Sequence, residues 1–227
     1  MLLVWLGLLT AAPGLAAERG YSVTSFDRVR IEGPFAVTVT TGKPPSARAT
    51  GSAAALEQVQ LRVEGRTLLV RPSQSAWGGF PGRQDSPVSI SVSTPDLHTA
   101  ILLGSGRLDI DRIRGARAVL TVEGSGRLAV RSLEVDTASL AVAGSGGIEA
   151  AGRAKQLAAV ARGAAEIRAG DLIVPDLTLV AETAGQVTLH ATRSAKVTAS
   201  GVGAVEVLGT AACEVRKLGS GPLSCGR

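Results

Sequence analysis

The stretch Leu120-Thr121-Val122-Glu123-Gly124-Ser125-Gly126-Arg127-Leu128-Ala129-Val130 sets two short apolar–polar alternations on either side of a glycine-rich triplet. The same pattern stands twenty residues earlier, as Ala100-Ile101-Leu102-Leu103-Gly104-Ser105-Gly106-Arg107-Leu108-Asp109-Ile110. Working outward, triplets open at Gly104, Gly124, Gly144, Gly163, Thr183, Gly201 and Gly219, at intervals of 20, 20, 19, 20, 18 and 18 residues. A fixed period of this length is the mark of stacked, equivalent units. Alternation of period two gives each strand one buried face, and the spacings of three and four that a helix needs are missing from the repeats.

The columns agree from unit to unit. Four residues after each triplet opens stand Leu108, Leu128, Ile148, Ile167, Val187, Val205 and Leu223; four residues before stand Ala100, Leu120, Leu140, Ala159, Leu179, Val197 and Val215. The third triplet place holds Gly, or Ala at Ala165, as a narrow corner requires. We therefore expect an all-β fold, a parallel β-solenoid of about 20 residues per coil over residues 104–227. One coil alone cannot offset the entropy of ordering its ~20 residues, so the stack must fold together. A β-sandwich would share the alternation but not the near-constant coil length. Aromatic residues make up 3% of the chain, which suits a narrow interior of Val, Leu, Ile and Ala.

Residues 22–103 also alternate, as in Phe26-Asp27-Arg28-Val29-Arg30-Ile31 and Val88-Ser89-Ile90-Ser91-Val92, but without the period. This segment is expected to cap the N-terminal end of the solenoid, with a short helix within Ala53–Gln60. Residues 72–87 interrupt it with a run of turn formers that carries Trp77, Phe80 and Arg83. Aromatic side chains beside an arginine on a projecting loop would suit a sugar ring or a partner surface; the alternative is that Trp77 and Phe80 fold back as a plug.

Residues 1–17 read as a signal peptide: Leu2–Ala17 is apolar, too short to span a bilayer, and ends in small residues. No Lys or Arg precedes the apolar run, and no Cys follows it as a lipid anchor would require. The mature chain has no expected transmembrane anchor. Export favours a disulfide between Cys213 and Cys225, with two buried thiols as the alternative. The net charge is +5, and Arg107 and Arg127 fall in one outward column of adjacent coils. Stacked like charges should face water or an anion, which in an exported protein means envelope glycans or lipid headgroups rather than nucleic acid.

The sequence offers no cofactor, metal or catalytic signature. No glycine-rich segment continues into Lys-Ser or Lys-Thr, and the column Asp109, Ala129, Glu149, Arg168, Thr188, Glu206, Ser224 cannot hold a row of cations. His98 and His190 lack a nucleophile and carboxylate at suggestive spacing. For a glycan-active enzyme the best local set is Asp109, Asp111 and Arg112, with Arg131 alongside.

The Phe26–Ile31 strand, the later Pro95-Asp96-Leu97 and the recurrent Gly-Ser-Gly triplets resemble bacterial proteins of the putative auto-transporter adhesin, head GIN domain family. The likeness spans roughly residues 25–223. It implies a right-handed β-helix, export to the cell envelope, and no catalytic residues to carry over. The family commonly follows its triplet with Asn or Lys, where this chain has Arg107, Arg127 and Gly147. The combined expectation is an exported, non-catalytic binding or scaffolding solenoid of the periplasm or cell envelope, or secreted. Its expected partner is an anionic envelope glycan or a protein. The alternatives are a glycan-active β-helical enzyme and a structural solenoid whose ends pair into oligomers.

Overall fold

Between triplets the chain runs as unbroken strand. β9 (Arg107–Gly124), β10 (Arg127–Gly144), β11 (Gly147–Gly163) and β12 (Glu166–Thr183) are each 17 or 18 residues long. A straight strand of that length would reach about 60 Å. Instead each run lies parallel on the next in register, Arg127 on Arg107 and Gly144 on Gly124, so every run circles the axis once and returns to its own corner. The computed structural model, which describes residues 17–73 and 88–226, is thus a β-solenoid of about six turns, about 20 residues apart.

Pairing between β9 and β10 breaks at Asp111/Arg131 and at Ala116/Asp136, dividing the coil into three segments. Differences in coil length are accommodated at these corners: register shifts fall between Val130 and Leu133 and between Glu149 and Gly152 at the first, and between Val174 and Asp176 at the second. The triplet column consequently stays in line. Inside it, Leu108, Leu128, Ile148, Ile167 and Val187 are buried, as are Leu120, Leu140, Ala159, Leu179 and Val197 on the facing segment. Each larger side chain contributes about 1.5–3 kcal/mol on burial.

The corners show why the triplets are small. Gly104, Gly124, Gly144 and Gly163 have φ between +86° and +114°, whereas Gly201 and Gly219 do not take positive φ. The third place is restricted by space: a Cβ on Gly126 would lie 2.7 Å from the Gly106 carbonyl oxygen, well inside contact distance. Thr183 fits a first place because its buried hydroxyl donates to the Ala165 carbonyl and accepts from the Gly185 amide, both at 2.9 Å.

Ahead of Gly104 come β1 (Ala17–Tyr21), β2 (Arg28–Glu32), β3 (Ala36–Thr41), β4 (Ser46–Gly51), α1 (Ala53–Glu57), β5 (Val59–Glu64), β6 (Thr67–Pro72), β7 (Ser89–Thr94) and β8 (Thr99–Gly104). The parallel stack extends into this region. β2 lies between β8 and β6, and β3 between β9 and β7, all parallel. Gly33-Pro34-Phe35 thereby forms a further corner, with Gly33 at φ +109° and its backbone directly against Gly104. In the outermost coil β6 ends at Pro72 and β7 follows Val88. Antiparallel β4 on β7, β5 on β6 and β1 on β4 then close that end. The helix is five residues long, opened by the Ser52 side chain accepting from the Ala55 amide; from Val59 the alternation Val-Gln-Leu-Arg-Val makes strand instead.

At the other end follow β13 (Val187–Ala199), β14 (Val205–Leu208), β15 (Ala212–Lys217) and β16 (Leu223–Cys225). Cys213 and Cys225 are joined by a disulfide, linking β15 to β16. Residues 1–16, most of the expected signal peptide, lie outside the described residues, as do Trp77, Phe80 and Arg83.

Candidate functional site

The first segments of successive coils build one parallel sheet, and its outward columns are set by the triplet register. One column runs Arg107, Arg127, Gly147, Glu166 and the next runs Asp109, Ala129, Glu149, Arg168. Long charged side chains therefore stand around small ones. Ala129, Gly147, Ala151 and Gly170 form a floor, and the arginines and carboxylates rise beside it. The result is a groove made of two adjoining depressions that share Ala129, Glu149 and Arg168, one of about 160 Å³ over Gly147 and one of about 400 Å³ over Ala151 and Gly170.

The stacked guanidiniums separate by taking different carboxylates. Arg107 Nε donates to Asp109 Oδ2 on its own strand at 2.8 Å. That hydrogen bond, and then the Asp109 charge, hold the Arg107 guanidinium above its ordinary value. Arg127 reaches past Gly147 to Glu166 Oε2, two coils away, at 3.3 Å. Glu166 Oε1 also forms an ion pair with Arg168, at 2.6 Å. The missing side chain at Gly147 opens the path for this contact; a Cβ there would lie 3.5 Å from Glu166 Cβ. Arg107 and Arg127 thus remain largely exposed while each has a partner. Among the described residues, Arg131 and Glu149 on the same groove make no ion pair.

Other residues singled out in the sequence are tied into the scaffold. Asp111 Oδ1 accepts from the Thr41 amide at 2.9 Å and from the Arg112 amide at 2.7 Å, fastening β9 to the end of β3. Asp109 is held by Arg107, so Asp109 and Asp111 each serve a separate contact. His190 Nδ1 is 3.1 Å from the Gly170 carbonyl oxygen, and His98 packs beside Gly115 with Nδ1 buried. Among the described residues no three His, Cys, Asp or Glu side chains group as metal ligands. The groove presents a polar surface that carries both signs of charge.

Glu166, Arg168 and Glu149 join the site only through the structure. Their signal lies in the columns nonetheless: Glu166 stands two coils beyond Arg127 at the same triplet offset.

No curated protein matches the chain in sequence. Among solved structures, a putative adhesin from Bacteroides fragilis is similar with a TM-score of 0.85 at 21% identity, covering 93% of this chain and 97% of that one. A protein from Parabacteroides distasonis described as a putative lipid binding protein has a TM-score of 0.70 at 18% identity, with 94% and 98% covered. A putative adhesin from Parabacteroides merdae has a TM-score of 0.69 at 18% identity, with 94% and 97% covered. These likenesses show the solenoid fold. The model of one family matches residues 25–211, most of the periodic sequence and its N-terminal coils, and the chain belongs to that family: putative auto-transporter adhesin, head GIN domain.

Proposed function

We propose that this protein is an exported, non-catalytic, adhesin-like binding module of the cell envelope whose ligand lies along the groove of the first sheet. The observation that carries this reading is the groove itself, two adjoining depressions on ladder-paired strands, with Arg131 and Glu149 in its lining outside any ion pair among the described residues. Ladder pairing on both sides of β9 to β12 fixes these side chains on a rigid surface, which reduces the entropy cost of binding. Arg107 and Arg127 supply the basic end. The chain re-enters the sheet at Val88, ahead of β7, and β7 is two strands from β9, about 10 Å. Trp77, Phe80 and Arg83, which lie outside the described residues, are proposed from the sequence to add contacts to the same ligand. The ligand class is an anionic envelope glycan, with a protein partner as the competing occupant. The apolar leader and its small-residue exit supply the case for export.

The test is retention of residues 18–227 on peptidoglycan, lipopolysaccharide and anionic glycan arrays, with bound material read by mass spectrometry. Intact retained ligand, released by salt and weakened by Arg131→Ala or by Trp77→Ala with Phe80→Ala, supports the proposal. Shortened ligand would replace it with a glycan-active enzyme. Absence of retention on every surface would overturn the glycan assignment. A large fall in the thermal midpoint of the Trp77/Phe80 variant would make those residues core rather than site.

A further inference from the structure

The two ends of the solenoid are finished differently. Antiparallel strands cover the N-terminal end, but among the described residues nothing pairs with the outer edge of β15, whose six residues are all exposed. Such an edge presents a row of unpaired amides and carbonyls that templates another strand. Val215 continues the buried column of Leu179 and Val197, yet it is 41% exposed, with no further coil stacked on it among the described residues. Leu218 and Val202 stand nearby at the same triplet corner, 61% and 65% exposed.

The direction of the free groups follows from the ladder. The Leu218 amide donates inward to the Ala199 carbonyl at 2.7 Å, and Val215 is in register with Val197. Main-chain groups alternate sides along a strand, so those of Glu214 and Arg216 also face β13. Those of Cys213, Val215 and Lys217 face outward. We infer that β15 is a homodimer edge, pairing antiparallel with β15 of a second copy about a two-fold axis at Val215.

Register and charge select this arrangement together. Centred on Val215, Cys213 and Lys217 of one copy exchange hydrogen bonds with Lys217 and Cys213 of the other, and all three outward residues are used. Glu214 then stands opposite Arg216 of the second copy, twice, at the closer non-hydrogen-bonded positions. Shifting the centre by one residue either way sets Glu214 against Glu214 or Arg216 against Arg216. Within its own chain Glu214 contacts Lys196 at 3.6 Å, both largely exposed, and Arg216 has no ion pair among the described residues. Lys217 occupies an inward column but lies at the strand end, where its stem can carry the ammonium out to water.

Sedimentation equilibrium of the full chain over a range of concentrations tests this. The expected result is a mass rising from one subunit and levelling at two, since a two-fold interface closes on itself. Glu214→Arg should raise the dimer dissociation constant at least about tenfold, equivalent to about 1.4 kcal/mol. Adding Arg216→Glu to it should restore dimerisation, although the guanidinium introduced by Glu214→Arg still faces Lys196. Thermal midpoints of each variant keep a folding defect separate from a lost interface. A monomer at every concentration would mean that Lys217 blunts the edge, and would overturn the proposal. So would growth beyond two subunits, or a double variant no better than Glu214→Arg.

Discussion

Replacing Gly144 by Ala tests the corner more directly than any core truncation. Gly144 has φ +112°, and a Cβ built on it would lie 2.4 Å from the Gly124 carbonyl oxygen. That oxygen cannot turn aside freely, because it accepts from the Ser145 and Gly146 amides at 2.9 and 2.8 Å. Backbone strain of about 1–3 kcal/mol therefore adds to overpacking of about 1–3 kcal/mol. The expected loss is about 4 kcal/mol, or a fall of about 8–16 °C in midpoint for a domain of this size. Coils on both sides of this corner make the damage global rather than frayed. Two controls separate the contributions. Gly42 has φ +76° with nothing within 4 Å of the added Cβ, so Gly42→Ala should cost only about 1–2 kcal/mol. Gly20 has neither feature, and Gly20→Ala should be neutral. The assay is thermal unfolding followed by circular dichroism. A Gly144→Ala midpoint no lower than that of Gly42→Ala would refute the claim that coil stacking, and not backbone conformation alone, dictates glycine here.

Other outcomes follow from the same structure. Thr183→Val should cost about 1–3 kcal/mol, since the buried Ala165 carbonyl loses its donor and the half-buried Gly185 amide its acceptor; urea unfolding measures it. Cys213→Ser should remove amide-exchange protection mainly from residues 212–225, because the last coil stacks on one neighbour only. Protection lost throughout the chain would contradict that. Hydrogen bonds from Arg193 and then Ser194 hold the Asp176 carboxyl below its ordinary value of 3.8. Its contribution to stability is therefore complete above 3.8 and fades as pH falls through the lowered folded value. Arg193→Ala should move the NMR-detected titration of Asp176 upward, toward 3.8.

Amino-acid order by itself determined the periodic part of this protein. Alternation around Leu120–Val130 fixes which side chains face inward, and a triplet every 18–20 residues fixes which positions stack. Both are local, repeating constraints, and a solenoid is built from contacts between neighbouring repeats. Export, the role of the Trp77 segment and the ligand are expectations of the sequence that remain proposals. Two things required the tertiary structure. The first is the insertion: β2 and β3 are separated from Gly104 by some seventy residues, so no period could reveal that Gly33-Pro34-Phe35 is another corner. Long-range pairing decided it. The second is charge pairing. The columns place Arg127 and Glu166 at one offset, but adjacency alone would pair neighbouring coils. Contact across two coils depends on the open space over Gly147 and on the reach of a guanidinium, which are properties of packed side chains in three dimensions.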